Sequence, residues 1–225
     1  NMSKKARAVF CFSSFPPLFK LACPVTVFFQ NNILLRQFSH FGFSYHIRLK
    51  HHVERLWLKH FMSHADTIIV QTETTKKNFL NEYPHRQVEV AAFVNTKGLD
   101  QSKTQREYDF LYVAAADPHK NHLKLLAAWR LLAAHGLYPS LVLTLPETSI
   151  DLLEQVQQAR SSGARIINFP NMNHAEVLKL YKKCACLVFP SLAESFGLPL
   201  YEAAYQGLDI GAADLKYVYE IVKPD

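Results

Sequence analysis

Beyond residue 108 the sequence alternates short apolar runs with amphipathic segments at a regular spacing. Strands are predicted at 109–116, 140–145, 165–169, 186–190 and 208–212, and helices at 121–135, 150–161, 174–184 and 198–206. Repeated strand–helix units favour a parallel, doubly wound sheet, because each parallel connection needs a crossover. The predicted fold class is therefore α/β, and ligands are expected at the carboxyl ends of the strands.

The first hundred residues contain further apolar runs, at 6–12, 24–30, 65–72 and 88–94. The third of them, ADTIIVQT, is nearly continuous and favours a parallel strand that is covered on both faces. The stretch Asn95–Tyr108 is polar and predicts a linker. The predicted organisation is an N-terminal domain at 1–97, a linker at 98–108 and a C-terminal domain at 109–225.

Composition places the chain among soluble globular proteins. Of its 225 residues 49% are hydrophobic, and its longest apolar runs are shorter than a membrane span. The start lacks the features of a signal peptide, and four cysteines are too few for a disulfide scaffold. These features predict a cytoplasmic chain with reduced thiols, and they favour buried free thiols over a metal site at Cys184 and Cys186.

Basic residues are concentrated in the first hundred positions, with 13 Lys and Arg against 6 Asp and Glu. Within this part, residues 46–64 show helical periodicity through Leu49, Val53, Leu56, Trp57 and Phe61. The main prediction is a helix that packs these residues into the core and leaves a basic face in solvent. A helix lying on an anionic membrane is the second interpretation, and a metal site at His60 and His64 is the third.

One stretch, Cys186–Asp209, combines a strand, a polar turn and a helix start. The strand ends at Pro190, and the helix is predicted to begin near Leu198 or Pro199. This order presents backbone N–H groups and the positive end of a helix dipole, which together suit a phosphate. Glu194 and Glu202 bracket the turn with seven residues between them. Alternatively, both glutamates are surface residues of an ordinary strand–helix unit.

The motif FPSLAESFGLPLYEA, at 189–203, resembles the E-x7-E motif of retaining GT-B glycosyltransferases, in particular family 4. The resemblance implies that Glu194 contacts the transferred sugar and that Glu202 holds the ribose hydroxyls of a nucleoside-diphosphate sugar. It also assigns the intervening residues to donor binding, in part through backbone amides: Ser195, Phe196, Gly197 and Leu198.

Lys120 lies just before a predicted helix start, at the carboxyl end of the strand at 109–116. A lysine there can supply a positive charge to a diphosphate, and the resemblance implies that it does so as a catalytic residue with Glu194. Many family members have an arginine a few residues earlier, where this chain has Ala114–Ala116. His119 is a candidate to replace that arginine. Asn31, which follows the strand at 24–30, is a candidate contact for the acceptor.

The resemblance covers residues 65–225 and implies a GT-B fold of two Rossmann-like, doubly wound domains. The N-terminal domain is expected to be incomplete and the C-terminal domain to lack its end. No D-x-D, G-x-G-x-x-G or P-loop motif is present, so no metal and no cofactor are expected.

The expected activity is hexose transfer to a glycan or lipid-linked acceptor in cell-surface polysaccharide synthesis, with retention at the anomeric carbon. Peripheral contact with an anionic membrane is an expected partner interaction, and nucleic acid is not. The resemblance favours attack of the acceptor from the front face over double displacement, which needs a carboxylate nucleophile. A non-catalytic binding or scaffold domain and a GT-B-like sugar-nucleotide epimerase remain as alternatives.

Overall fold

The computed structural model describes residues 6–36, 42–94 and 105–223. The chain forms two compact units, one of Asn1–Val94 with Ala193–Phe196 and the other of Asn95–Leu192 with Gly197–Asp225. Both contain a parallel sheet with helices, so the predicted α/β fold class is confirmed. Most of the predicted linker lies outside the described residues, and its bounds stay a prediction.

The chain alternates strands and helices through both units. The strands are β1 (Val9–Cys11), β2 (Val25–Phe28), β3 (Thr67–Val70), β4 (Gln87–Val90), β5 (Tyr108–Tyr112), β6 (Leu141–Leu143), β7 (Ile166–Asn168), β8 (Cys184–Phe189) and β9 (Asp209–Ala212). The helices are α1 (Tyr45–Phe61), α2 (Glu73–Glu82), α3 (His122–Ala134), α4 (Ile150–Ser161), α5 (His174–Lys183), α6 (Leu198–Tyr205) and α7 (Lys216–Ile221). Every predicted strand and helix is present, most strands are shorter than predicted, and α7 was not predicted.

The first unit has the strand order β1-β2-β3-β4, with all neighbours parallel. Alternate strand residues such as Val27 and Ile68 join a core with Leu58 of α1 and Phe79 of α2, all at most 1% exposed. Thr72 caps α2, because its side chain accepts a hydrogen bond from the amide of Thr75, as expected for a hydroxyl at this position.

The face that α1 turns to the core differs from the prediction. Leu58 is fully buried, whereas Leu49, Val53 and Leu56 are 50%, 57% and 43% exposed. The prediction that these three pack in the core is therefore wrong. The helix is held by polar contacts as well as apolar ones, since Arg55 donates to the carbonyls of Ile33 and Leu34 at 2.8 and 3.1 Å. Hydrogen bonds such as those of Arg55 help to set the rotation of the helix about its axis. The spacing of apolar residues in the sequence does not predict them.

The histidines of the alternative metal site, His60 and His64, and the cysteines have ordinary structural surroundings. His60 and His64 each place Nδ1 near a backbone carbonyl, that of Leu56 at 2.7 Å and that of Pro17 at 3.0 Å. Within the described ranges, no group of three or more His, Cys, Asp or Glu side chains could hold a metal ion. All four cysteines are free thiols, and Cys184 is buried.

The second unit has the strand order β7-β6-β5-β8-β9, again with all neighbours parallel. Its core combines the central strands with apolar faces of the surrounding helices, including Leu111, Trp129, Val156 and Tyr181. Among the described helices of either unit, none has both the length and the apolar character to cross a bilayer.

Candidate functional site

The strand order of the second unit reverses at β5. The chain first runs outward from β5 to β6 and β7, and then continues on the other side of β5 with β8 and β9. Ligands of open parallel sheets bind beyond the carboxyl ends of the strands at such a reversal. The loops that follow β5 and β8 are therefore where a ligand is expected in this unit.

The loop after β5 holds Lys120 in a defined backbone position. Pro118–Lys120 form a 3-10 turn, and Asn121 then adopts a left-handed conformation with φ of 62° before α3 begins at His122. From below, the hydroxyl of the fully buried Tyr112 donates to the carbonyl of Lys120 at 2.6 Å. Lys120 lies just before a helix, as predicted, but in the loop after β5 and not directly at the strand end; its role stays a prediction.

The loop after β8 is hydrogen-bonded to the loop after β5. The amide of Leu192 donates to the carbonyl of His119 at 2.8 Å, and Nδ2 of Asn121 donates to the carbonyl of Pro190 at 3.2 Å. The hydroxyl of Tyr217 fixes the second loop further by donating to the carbonyl of Ser191 at 2.7 Å. Together the two loops form one connected edge above β5 and β8.

Two histidines lie under this edge. His119 is 7% exposed and His122 is 4% exposed, and the His122 ring packs against the Tyr112 ring with centroids 4.8 Å apart. Burial, and then the positive charges of Lys120 and His119, lower the pKa of His122 to about 4. His122 is therefore neutral near pH 7 and adds no positive charge for an anion.

The turn into α6 depends on a glycine. Gly197 has φ of 85° and ψ of 53°, a left-handed conformation, and Pro199 lies in the first turn of the helix. Within the described residues, the backbone N–H groups of Gly197 and Leu198 donate a hydrogen bond to no acceptor. These amides and the helix dipole form the arrangement that favours an anion at a helix start.

Glu202 is in the middle of α6 and is only 3% exposed. Its Oε1 lies 2.6 Å from Nε2 of His174, the first residue of α5. Tyr181 also faces this carboxylate; its pKa is raised well above 10, mainly by burial and then by the charge of Glu202. Neither His174 nor Tyr181 was predicted as a site residue.

Glu194, Ser195 and Phe196 group with the first unit. The Ser195 hydroxyl donates to the carbonyl of Gln30 and accepts from the amide of Asn32 at 3.2 Å. The Ser195 side chain, predicted to bind the donor, is thus engaged with the backbone that follows β2.

The backbone of the same segment is held by buried polar side chains. Asn32, at 2% exposure, donates through Nδ2 to the carbonyl of Glu194 at 2.7 Å and to Oγ1 of Thr75 at 3.0 Å. The hydroxyls of Thr75 and Thr72 donate to the carbonyl of Ser195 at 3.2 and 3.3 Å. Asn32, Thr72 and Thr75 therefore fix the main chain that carries the Glu194 side chain.

Asn31, the predicted acceptor contact, has a local structural partner. Its side chain accepts from the amide of Ile33 and caps a short 3-10 turn at Asn32–Leu34. The acceptor role of Asn31 stays a prediction, and the neighbouring Asn32, which holds the Glu194 backbone, was not predicted. The pair of adjacent asparagines was the available signal, but only the structure shows which of the two side chains turns inward.

The predicted site residues are thus divided between the two units. The second contains Lys120, Gly197, Leu198 and Glu202, and the first contains Asn31 and the segment 194–196. The parallel sheets and the strand–turn–helix of the second unit define a Rossmann-like fold of the type found in GT-B glycosyltransferases.

Comparison with known proteins agrees with this fold. The chain matches the family model described as glycosyl transferases group 1 over residues 96–225, and it belongs to that family. It is 28% identical over 116 residues to a serotype-specific mannosyltransferase, WbdA, of Escherichia coli. The aligned residues are 51% of this chain and 14% of the relative. It is 26% identical over 161 residues to YqgM, an uncharacterized glycosyltransferase of Bacillus subtilis. The aligned residues are 70% of this chain and 45% of the relative.

Among solved structures, a TarM variant of S. aureus in complex with fondaparinux, alpha-GlcNAc-glycerol and UDP is similar in fold. It has a TM-score of 0.64 at 15% identity and covers 90% of this chain and 39% of the other. The chain spans less than half the length of each of these three relatives.

Proposed function

We propose that the chain contributes the donor site of a retaining, family 4 glycosyltransferase that moves a hexose from a nucleoside-diphosphate sugar to a glycan or lipid-linked acceptor. The observation that carries this proposal is the connected edge above β5 and β8, where Lys120, the start of α6 and Glu202 belong to one unit. Family membership supports it, as do the UDP in the complex of the similar TarM structure and the mannosyltransferase relative.

In this proposal the diphosphate binds above the start of α6. Negative charge grows on the diphosphate as the glycosidic bond breaks, so groups that stabilise the anion lower the barrier. The amides of Gly197 and Leu198, the helix dipole and the Lys120 ammonium would supply this stabilisation without a metal.

Glu202 would accept hydrogen bonds from the ribose hydroxyls, and Glu194 would orient the transferred hexose for front-face attack by the acceptor. A carboxylate suits hydroxyl donors, because it accepts through two oxygens and has no proton of its own to donate. The hydrogen bond from Asn32 to the Glu194 carbonyl suits this role, because the rate of transfer depends on how precisely the reacting sugar is oriented.

Calorimetric titration with UDP, GDP, dTDP and ADP in the presence of EDTA tests the donor site. We expect one nucleotide to bind and Glu202→Ala to remove most of its affinity, whereas Glu154→Ala, an exposed glutamate on α4, leaves it unchanged. If no nucleotide binds, the donor site is refuted. Transfer assays with the bound donor class, and NMR of the anomeric product, then test retention and the role of Glu194.

A non-catalytic nucleotide-binding domain is the second candidate, and Ala114–Ala116 favour it because they replace an arginine of many family members. Nucleotide binding without measurable hexose transfer, in a chain that includes the rest of the protein, would support this candidate. Transfer that Glu194→Ala abolishes would exclude it.

For the acceptor side we propose peripheral contact of α1 with an anionic membrane on the cytoplasmic side. The exposed Leu49 and Val53 lie on a helix that also carries Arg48, Lys50 and Lys59 in exposed positions. Apolar residues beside basic ones suit the headgroup region of anionic lipid. Co-sedimentation with phosphatidylglycerol vesicles, and its loss in the double variant Leu49→Ser, Val53→Ser, tests this; equal binding to phosphatidylcholine vesicles would contradict it.

A further inference from the structure

The carboxylate of Glu202 is in contact with a histidine from a neighbouring helix. Only 4% of the Glu202 side chain is exposed, and 51% of the His174 side chain is exposed. Oε1 of Glu202 and Nε2 of His174 are 2.6 Å apart, a separation typical of a strong hydrogen bond to a carboxylate. His174 therefore provides a hydrogen-bond partner at Oε1 of an almost fully buried carboxylate.

The position of His174 is set by the start of α5. Asn173 and Glu176 form a capping box, in which the Asn173 side chain accepts from the Glu176 amide at 3.0 Å and the Glu176 carboxylate accepts from the Asn173 amide at 2.7 Å. This fixes the first helical residue. His174 and Tyr181 are seven residues apart, so they lie on one face of α5, and this face meets Glu202.

A carboxylate has two oxygens and about four positions at which it can accept a hydrogen bond. With Oε1 engaged by His174, the rotation of the Glu202 carboxylate is restrained, and its orientation is set before a ligand binds. A restrained acceptor binds a diol with a smaller loss of side-chain entropy than a mobile one.

We infer that His174 is a positioning residue for Glu202 and thereby a determinant of ribose recognition. It holds Oε1, so that the other carboxylate oxygen accepts from the vicinal hydroxyls of a nucleotide ribose. This inference rests on the proposed function, because it needs Glu202 to contact the ribose. His174 has no assigned role in that proposal.

The test compares a nucleoside diphosphate with its 2′,3′-dideoxy analogue. The nucleotide that binds the chain in the calorimetric screen and this analogue are titrated into the wild type and into His174→Ala, His174→Gln and Glu202→Ala. Lys179→Ala, an exposed change on the same helix, is the control. We expect His174→Ala to weaken binding of the ribonucleotide about threefold to tenfold, as for the net contribution of one ordinary hydrogen bond, because His174 acts on the ligand only through Glu202.

Binding of the dideoxy analogue should be unchanged by His174→Ala, because that ligand lacks the hydroxyls that Glu202 contacts. His174→Gln should restore part of the affinity through its amide N–H, Lys179→Ala should bind as the wild type does, and the double variant His174→Ala, Glu202→Ala should bind no more weakly than Glu202→Ala.

Other results would refute the inference. Equal weakening for both ligands would show a general structural effect, and an unchanged affinity in His174→Ala with a loss in Glu202→Ala would show that Glu202 acts without His174. If the wild type binds no nucleoside diphosphate, the proposed function fails and the inference with it; the wild-type titration separates that outcome from the first two.

Discussion

Replacing Gly197 by alanine is expected to destabilise the second unit through two separable effects. The left-handed backbone costs an alanine about 1–2 kcal/mol. The added Cβ would lie 3.2 Å from Cδ1 of Leu200, a fully buried side chain, and 3.5 Å from Cδ1 of Ile221. Such crowding adds about 1 kcal/mol or more, so the free energy of unfolding should fall by about 2–4 kcal/mol in all.

Gly136→Ala is the matched control in the same unit. Gly136 also has a positive φ, 76°, but a Cβ there would meet nothing within 4 Å. It should therefore show only the backbone cost. The loss of unfolding free energy in Gly197→Ala minus that in Gly136→Ala therefore measures the cost of crowding Leu200 and Ile221.

Urea unfolding followed by tryptophan fluorescence can report on this unit alone. The chain has two tryptophans, so a Trp57→Phe background leaves Trp129, which is buried in the core of the second unit. If Gly197→Ala is no more destabilising than Gly136→Ala, the packing argument is wrong. If the folded Gly197→Ala variant, measured without urea, also binds nucleotide more weakly than the wild type, that result would support the role of this turn in the donor site.

Three further predictions concern single side chains. Asn32→Ala should lower the stability of the first unit by about 2–3 kcal/mol because it removes two buried hydrogen bonds, whereas Asn31→Ala should cost about 1 kcal/mol as the loss of a cap; parallel denaturation curves decide. Burial raises the pKa of the Cys184 thiol to about 12, so iodoacetamide at pH 8 should leave Cys184 unmodified in the folded chain and label it in urea, and peptide mass mapping that finds early labelling would refute this. The folded pKa of His122, about 4, lies below its unfolded value of 6.5, so the unfolded chain binds the extra proton first; stability should fall by about 3 kcal/mol between pH 6.5 and 4, and His122→Gln should remove that part of the pH dependence.

Sequence periodicity predicted the fold well, because parallel sheets with crossover helices have regular apolar runs. The helix start near Leu198 was predicted from Pro199 and is observed at Leu198. The six-residue helix α7 was missed, since so short a segment shows less than two turns of period.

The supporting residues of the site were not predictable in the same way. Glu202 stood out because its neighbours matched a motif, but its contact with His174, 28 residues earlier in the sequence, depends on the packing of two helices. The inward turn of Asn32 and the outward turn of Leu49 likewise depend on tertiary packing. These are contacts that no local pattern encodes.

The central position of β5 also has a consequence for how the second unit is assembled. Phe110 pairs with Leu141 on one side and with Cys186 on the other, so half of the partners of β5 come from the far end of the unit. Pairings of large sequence separation form slowly, because the intervening chain must be ordered or looped out first. During synthesis, β5–β7 can associate before β8 is available. The loop that holds Lys120 can acquire its hydrogen-bonded partner loop only after β8 has been synthesised, since that partner loop follows β8 in the chain.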